Sequence, residues 1–299
     1  MKNKEYHSES ELLKKGEELI SKSLFDIHGC LSQKPYKGKG GFGNKVEEIH
    51  YQIENNNRQE PDVANLGIEI KTNPLKRKLN KEIVAKERVV LGMIDFSNLV
   101  LEDFNTSSYL KKNSSILFNM YLYDKNLKDF EYRFLLVDII KIANEDFDVI
   151  RRDWNIIKEK AQNLKAEEIS QSDTEYLAAV TKGGKNQIPQ EYQVGSKISK
   201  AKRRAFAYKG PFINHLLQDY SLIEKDGKEY FVKNKKPKEY FKIMTSAHDG
   251  NIGKAVEEKF SSFIGLEDIK IADVFGYKDS FIKAIDKSRW HWNTSLILT

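Results

Sequence analysis

The segment Leu66-Gly67-Ile68-Glu69-Ile70-Lys71-Thr72 alternates apolar and charged residues with a period of two. Only a β-strand turns that period into two faces. Ile68 and Ile70 then point into a core, and Glu69 and Lys71 point together toward the other side. A strand of this kind needs neighbours that cover one face and leave the other reachable. Further strands are predicted over residues 87–96, 115–124 and 131–140, the last of them running toward a helix. Another over the start of 176–197 gives way to a long Gly/Lys/Gln loop. Helical spacing marks residues 9–28, where Ser8 and Ser10 are cap candidates, and residues 46–53 and 145–166. Residues 211–220 form a helix that opens on Pro211, a residue favoured in a first turn. Trp154 and Phe147 read as the packing side of the 145–166 helix. The expected fold class is α/β: a mixed β-sheet flanked by helices.

The chain has 299 residues, enough for one large domain or two modest ones. Beyond about residue 225 the composition changes to a basic, proline-marked connector over 225–241. An amphipathic helix and a short helical piece are expected over 252–275, and the closing KSRWHWNTSLILT follows no period. Two domains are therefore expected, 1–222 and 223–299, the second a basic linker with a short, mostly helical extension. No apolar stretch is long enough for a membrane helix, and the charged N-terminus lacks an apolar signal core. The lone Cys30 cannot form an intrachain disulfide and reads as a small core residue, which fits a reducing cytoplasm. The net charge of +6 and sequence pI near 9.0 hint at an anionic partner. Basic clusters at 34–39, 76–81, 197–209 and 233–242 stand apart from an acidic zone at 145–175.

Asp62 follows Pro61, seven residues before Glu69. If the intervening loop folds back, two carboxylates and a lysine meet at one strand end. Phosphodiester hydrolysis needs such a set: hard oxygens for Mg²⁺ and a cation beside the attacking water. A plain charged strand edge produces the same spacing. The glycine-rich GGFGNKVEE segment adds Glu47 and Glu48 near a helix start. The six histidines are dispersed without metal-ligand spacing, so zinc is not expected. His50, three residues after Glu47, is the one near the proposed site.

Three segments resemble the MutH and Sau-type GATC restriction endonuclease family, within the PD-(D/E)XK nuclease fold. GFGNKVE (41–47) is similar to its G-x-x-x-E element, and PDVANLGIEIKTNPLK (61–76) to its D-x6-E-[LI]-K-T-x-P core. TSSYLKKNSSILF (106–118) is similar to a segment ending in a functional lysine. A weaker likeness runs to about residue 220, and the restriction-enzyme branch is the nearer one.

The resemblance implies a restriction-endonuclease-like fold and a catalytic set of Glu47, Asp62, Glu69, Lys71 and Lys112. Asp62 and Glu69, with Glu47, would hold Mg²⁺, and Lys71 would serve the attacking water. Glu48 is the rival to Glu47, and Lys111 the fallback for Lys112. DNA contacts are expected from the loop 182–198 and the segment to Lys209, through Lys182, Lys185, Gln187, Gln190 and Lys209. The arginine that the family places near its recognition proline is absent around Pro189. The implied activity is Type II restriction: Mg²⁺-dependent hydrolysis of double-stranded DNA at GATC, leaving 5′-phosphates. A strand-specific GATC nickase and a catalytically silent DNA-binding module are the alternatives. Implied partners are double-stranded DNA, a cognate methyltransferase acting on the same site, and a second regulatory DNA-binding half. Residues 250–276 resemble only the entry to that half.

Overall fold

The computed structural model describes residues 4–33, 41–55, 59–184 and 187–234, with the backbone of 282–285 and 290–292. The chain divides into two compact units, Met1–Val232 and Lys233–Thr299.

In the first unit, a helix over Glu9–Glu17 starts at Ser8, whose hydroxyl accepts from the Glu11 N–H. Leu12 and Gly16 face inward. Gly16 must be small, because a Cβ there would stand 2.7 Å from both Tyr51 and Val137. The single helical stretch expected over 9–28 is broken. Ser21 takes a left-handed conformation (φ 63°), and a second helix, Leu24–His28, restarts at a Ser23–Asp26 capping box.

The strands β1 (Glu69–Arg77), β2 (Ile83–Ala85), β3 (Val89–Met93), β4 (Ser115–Leu122) and β5 (Phe134–Lys141) follow in chain order. Four of them form a mixed sheet of order β2-β1-β4-β5. β1 runs parallel to β4, and the other two pairings are antiparallel. β4 is buried from Ser115 to Tyr121, as expected for a central strand covered on both faces. Ile68, Ile70, Leu117, Phe134 and Val137 cover one face with Leu12, Leu19, Val46 and Tyr51. Ile116, Phe118 and Met120 meet Ile150, Trp154 and Ile157 of the helix Asn144–Gln162 on the other.

A second sheet shares that core. β6 (Leu177–Thr181) and β9 (Arg204–Tyr208) join β3 in the order β3-β9-β6. The start of β6 hangs on buried Asp153, whose carboxylate accepts from the N–H groups of Glu175, Tyr176 and Leu177 at 2.9, 2.6 and 2.9 Å. The helix Gly210–Leu217 follows β9 with proline in its first turn, as the sequence suggested.

Two expected loops are strands. Within 182–198 the chain forms a ribbon of β7 (Gln190–Val194) and β8 (Lys197–Ala201), turning at Gly195 (φ 59°). Its strands are too polar to stand out by hydropathy. The start of the supposed connector over 225–241 belongs to a hairpin of β10 (Tyr220–Lys225) and β11 (Lys228–Lys233). Asp226 and Gly227 both have positive φ there (54° and 70°), the conformation that an Asp-Gly turn favours.

In the second unit, β12 (Ile282–Ile285) pairs antiparallel with β13 (Trp290–Trp292), so part of the tail without a period is strand. The helices expected over 252–275 lie outside the described residues, as does the rest of the connector. Among the described residues, no helix is long and apolar enough to cross a membrane. Cys30 is exposed rather than a core residue, because the turn Gly29–Gln33 presents it to solvent.

Candidate active site

The six-residue gap between Asp62 and Glu69 closes through a compact turn. Val63 and Ile68 bridge each other, with Val63 N–H to Ile68 O at 2.9 Å and Ile68 N–H to Val63 O at 3.3 Å. Gly67 makes the turn possible by adopting φ 67°, a left-handed conformation that side chains disfavour. The folded loop sets Asp62 beside the first residue of β1. The Asp62 N–H donates to Glu69 Oε2 at 3.2 Å, and Asp62 Oδ2 accepts from the Ile70 N–H at 2.9 Å.

Lys112 arrives from another segment. It lies in the last turn of the helix Ser108–Asn113, which leads directly into β4. Because β4 runs parallel to β1 with Ile116 opposite Glu69, that turn falls at the Glu69 end of the strand pair. Lys112 Nζ stands 3.5 Å from Glu69 Oε1, and Lys71 Nζ donates to the same oxygen. The Glu69 side chain is 2% exposed, and the two lysines are 17% and 20% exposed. Lys111, its neighbour on the helix, is exposed and does not line the cleft.

Glu47 comes from a helix over Gly41–Lys45 that widens into an i→i+5 turn over Val46–Tyr51. Such turns are uncommon and recur at functional sites. Three anchors hold it. Lys45 Nζ reaches both carboxylate oxygens of Asp129 at 2.8 Å, and Tyr51 OH donates to Asn119 Oδ1 at 2.6 Å. His50 Nε2 lies 2.7 Å from the Lys15 carbonyl, and its Nδ1 lies 3.1 Å from His28 Nε2. His50 is therefore a buried strut and not part of the cleft. The widened turn directs Glu47 into the cleft, whereas Glu48 accepts from Asn55 Nδ2 at 2.8 Å.

These groups line one cleft of about 660 Å³. Burial, helped by the nearby carboxylates of Asp62 and Glu69, pushes the Glu47 carboxyl up to about 8 against the pull of Lys71 and Lys112. Burial also raises Glu69, opposed chiefly by Lys71. Crowded carboxylates of this kind are what a divalent cation relieves. Among the described residues, no group of three or more His, Cys, Asp or Glu is placed to cage a metal. Asp62, Glu69 and Glu47 bring their carboxylates to that one cleft.

The family model for "DNA mismatch repair enzyme MutH" matches residues 51–153. The chain is also 32% identical over 210 residues to the Type II restriction enzyme Sau3AI of Staphylococcus aureus. This chain is MutH/Sau3AI-like. The alignment covers 70% of it and 42% of the length of the Staphylococcus enzyme. The mixed sheet with its flanking helices is thus the restriction-endonuclease-like fold of MutH-type domains. The MutH match spans Asp62, Glu69, Lys71 and Lys112 but begins after Glu47.

In this MutH-like chain the residues expected to touch DNA are not all presented alike. Lys182, at the end of β6, lines the cleft, and burial lowers its ammonium below the usual lysine range. Gln187 is exposed beside Gly183, and Lys185 lies outside the described residues. With its amide in one orientation, Gln190 approaches Asp95 at 3.3 Å. In the orientation that satisfies both amide atoms, it bridges Ile94 O and Phe96 N at 3.0 Å each. The second arrangement is the better one, because it leaves no like poles facing. Lys209 donates to the carbonyls of Gln171, at 2.6 Å, and Thr174, so its ammonium braces the fold. Sequence reasoning missed the opposite wall of the cleft, where Leu91 and Met93 of β3 join Tyr109, Asn98 and Asn113. Asn113 is 2% exposed, donates to Tyr109 O at 2.8 Å, and leaves its Oδ1 without a protein donor. Strand periodicity had located β3 but carried no sign that it faces the carboxylates.

Proposed function

We propose that this chain is a Mg²⁺-dependent endonuclease that cuts both strands of double-stranded DNA at GATC and leaves 5′-phosphate ends. The observation that carries the reading is the shared Glu69 carboxylate, latched to Asp62 and facing two lysines from different segments. Likeness to a Type II restriction enzyme supports the substrate and the outcome. It would work in the cytoplasm, where a cognate methyltransferase would mark the same site.

Asp62 and Glu69, joined by Glu47, would hold the metal, which when bound supplies charge neutralisation at phosphate and a more acidic water. Lys71 orients the attacking water and places positive charge beside the crowded phosphate. Lys112 shares the Glu69 oxygen and so ties DNA contact on the preceding helix to the cluster. Glu47, held toward protonation at about 8, can keep or release a proton near neutral pH. Lys182 at the cleft rim contacts DNA.

The matched family's description as a mismatch repair enzyme favours one second reading, a nickase that cuts a single strand at GATC. Supercoiled plasmid incubated with Mg²⁺ or EDTA separates the two. The proposal expects Mg²⁺-dependent linear fragments with GATC overhangs, and open circles alone would indicate the nickase. A gel shift with no cleavage under any divalent cation would overturn both.

A further inference from the structure

We infer that the outward face of the β7–β8 ribbon enters a groove of duplex DNA, with Gln193 and Ile198 against base edges and Lys200 against a flanking phosphate. This rests on the reading that duplex DNA is the partner. It moves sequence readout away from Gln190 and Lys209, which the fold engages, to residues further along the ribbon.

The ribbon has two unlike faces. Tyr192 and Ala201 are buried. The Tyr192 ring packs 5.3 Å from Phe96, and its hydroxyl lies 3.4 Å from the Ala166 N–H. That face holds the ribbon to the body of the protein. On the other face, Glu191 stands opposite Lys200 and Gln193 opposite Ile198, and all four side chains are exposed. Ile198 is 63% exposed. An isoleucine there adds nothing to the core, and its cross-strand neighbour is a glutamine. Such a pair is complementary to the major-groove edge of an A·T base pair. Glutamine pairs with the adenine N6/N7 edge, and an aliphatic side chain meets the thymine methyl.

Placement and charge agree with this partner. Lys182, which lines the cleft just before the ribbon, donates its N–H to Arg203 O just after it at 2.8 Å. Gln190, the first residue of β7, braces on the turn containing Asp95, another residue of the cleft wall. The ribbon therefore springs from the mouth of the candidate active site. Between Gln190 and Arg203 stand Lys197, Lys200, Lys202 and Arg203; Lys200 lies 3.4 Å from Glu191 and Lys202 2.8 Å from Glu167, which leaves the local balance positive. A two-stranded ribbon is of a size that a major groove about 12 Å wide admits.

The test measures binding of the full chain to a GATC duplex and to duplexes changed at one inner base pair, without metal, by fluorescence anisotropy across a salt series. Gln193→Ala and Ile198→Ser should each weaken GATC binding about tenfold and reduce discrimination against the altered duplexes, with an unchanged salt slope. Lys200→Ala should weaken all duplexes alike and flatten the slope by about one. Unchanged melting temperatures would show that the variants fold. Wild-type affinity and discrimination in both Gln193→Ala and Ile198→Ser would overturn the inference. A chain that binds GATC through this face but does not cut would instead overturn the cleavage reading alone.

Discussion

Asp62 and Glu69 brace each other through the backbone: the Asp62 N–H donates to the Glu69 carboxylate, and the Asp62 carboxylate accepts from the N–H that follows Glu69. Each acid thus fixes the other's position before any cation binds. Asp62→Asn preserves an oxygen for the Ile70 N–H and removes the charge. It should lower plasmid cleavage by at least about a hundredfold while the melting temperature stays near wild type. Glu69→Gln and Lys71→Met should do the same. Cleavage within a few fold of wild type in any of the three would remove that residue from the chemistry.

The Glu47 carboxyl gives a pH dependence with a definite sign. Its folded value, about 8, lies above its ordinary value of 4.5. Folding therefore favours the protonated acid. The stabilising contribution is whole below about pH 4.5 and is lost as pH rises through about 8. Without divalent ions, Glu47→Gln should be less sensitive than wild type to a rise from pH 6 to pH 8.5 in thermal melts. Mg²⁺ should stabilise wild type more at pH 8.5 than at pH 6, because binding competes with the proton. Equal Mg²⁺ shifts at both values would contradict the assignment.

Gly67 makes the turn that delivers Asp62, with φ 67°. Gly67→Ala puts a side chain into a left-handed position and should cost about 1–2 kcal/mol in urea unfolding. Because the turn sets the Asp62–Glu69 latch, cleavage should fall more than the lost stability explains at temperatures where the variant is folded.

The Lys45–Asp129 pair should respond asymmetrically. The Lys45 side chain is 5% exposed and that of Asp129 37%. Asp129→Ala strands a buried ammonium and should cost about 3 kcal/mol. Lys45→Met leaves a carboxylate that water can reach and should cost less. Denaturant midpoints compare the two, and equal losses would show that the pair is not the buried anchor of the Glu47 turn.

Asp153 accepts three N–H groups at the start of β6. Asp153→Ala should destabilise by about 3 kcal/mol. Hydrogen exchange should rise first at Glu175, Tyr176 and Leu177. Protection at those three amides equal to wild type would refute the role.

The sequence made β1 and its charged face plain, because period-two alternation survives any packing context. Asp62 was recoverable from spacing and the family pattern together. The choice of Glu47 over Glu48 was not recoverable from helical spacing, since the widened turn of 46–51 changes which side chain faces the cleft. The ribbon escaped notice because Gln, Lys and Ser fill both strands, and the Asp226-Gly227 hairpin escaped because its basic strands resembled a linker. Gln190 and Lys209 are engaged by the fold itself, which their sequence positions do not show. A polar side chain aimed at a distant carbonyl looks, in sequence, the same as one aimed at a ligand.

Glu69 and Lys112 are 43 positions apart and meet because two parallel strands share one register, Glu69 opposite Ile116. The span between helix and strand, Ser114 alone, is the only slack between the lysine and β4. One inserted residue there would swing Lys112 roughly 100° around its helix, or shift β4 by about 3.3 Å, while the hydrophobic layers still found partners. Length variation in this family should therefore be tolerated in the Asp226–Gly227 hairpin and be harmful at this one joint, whatever residue is added.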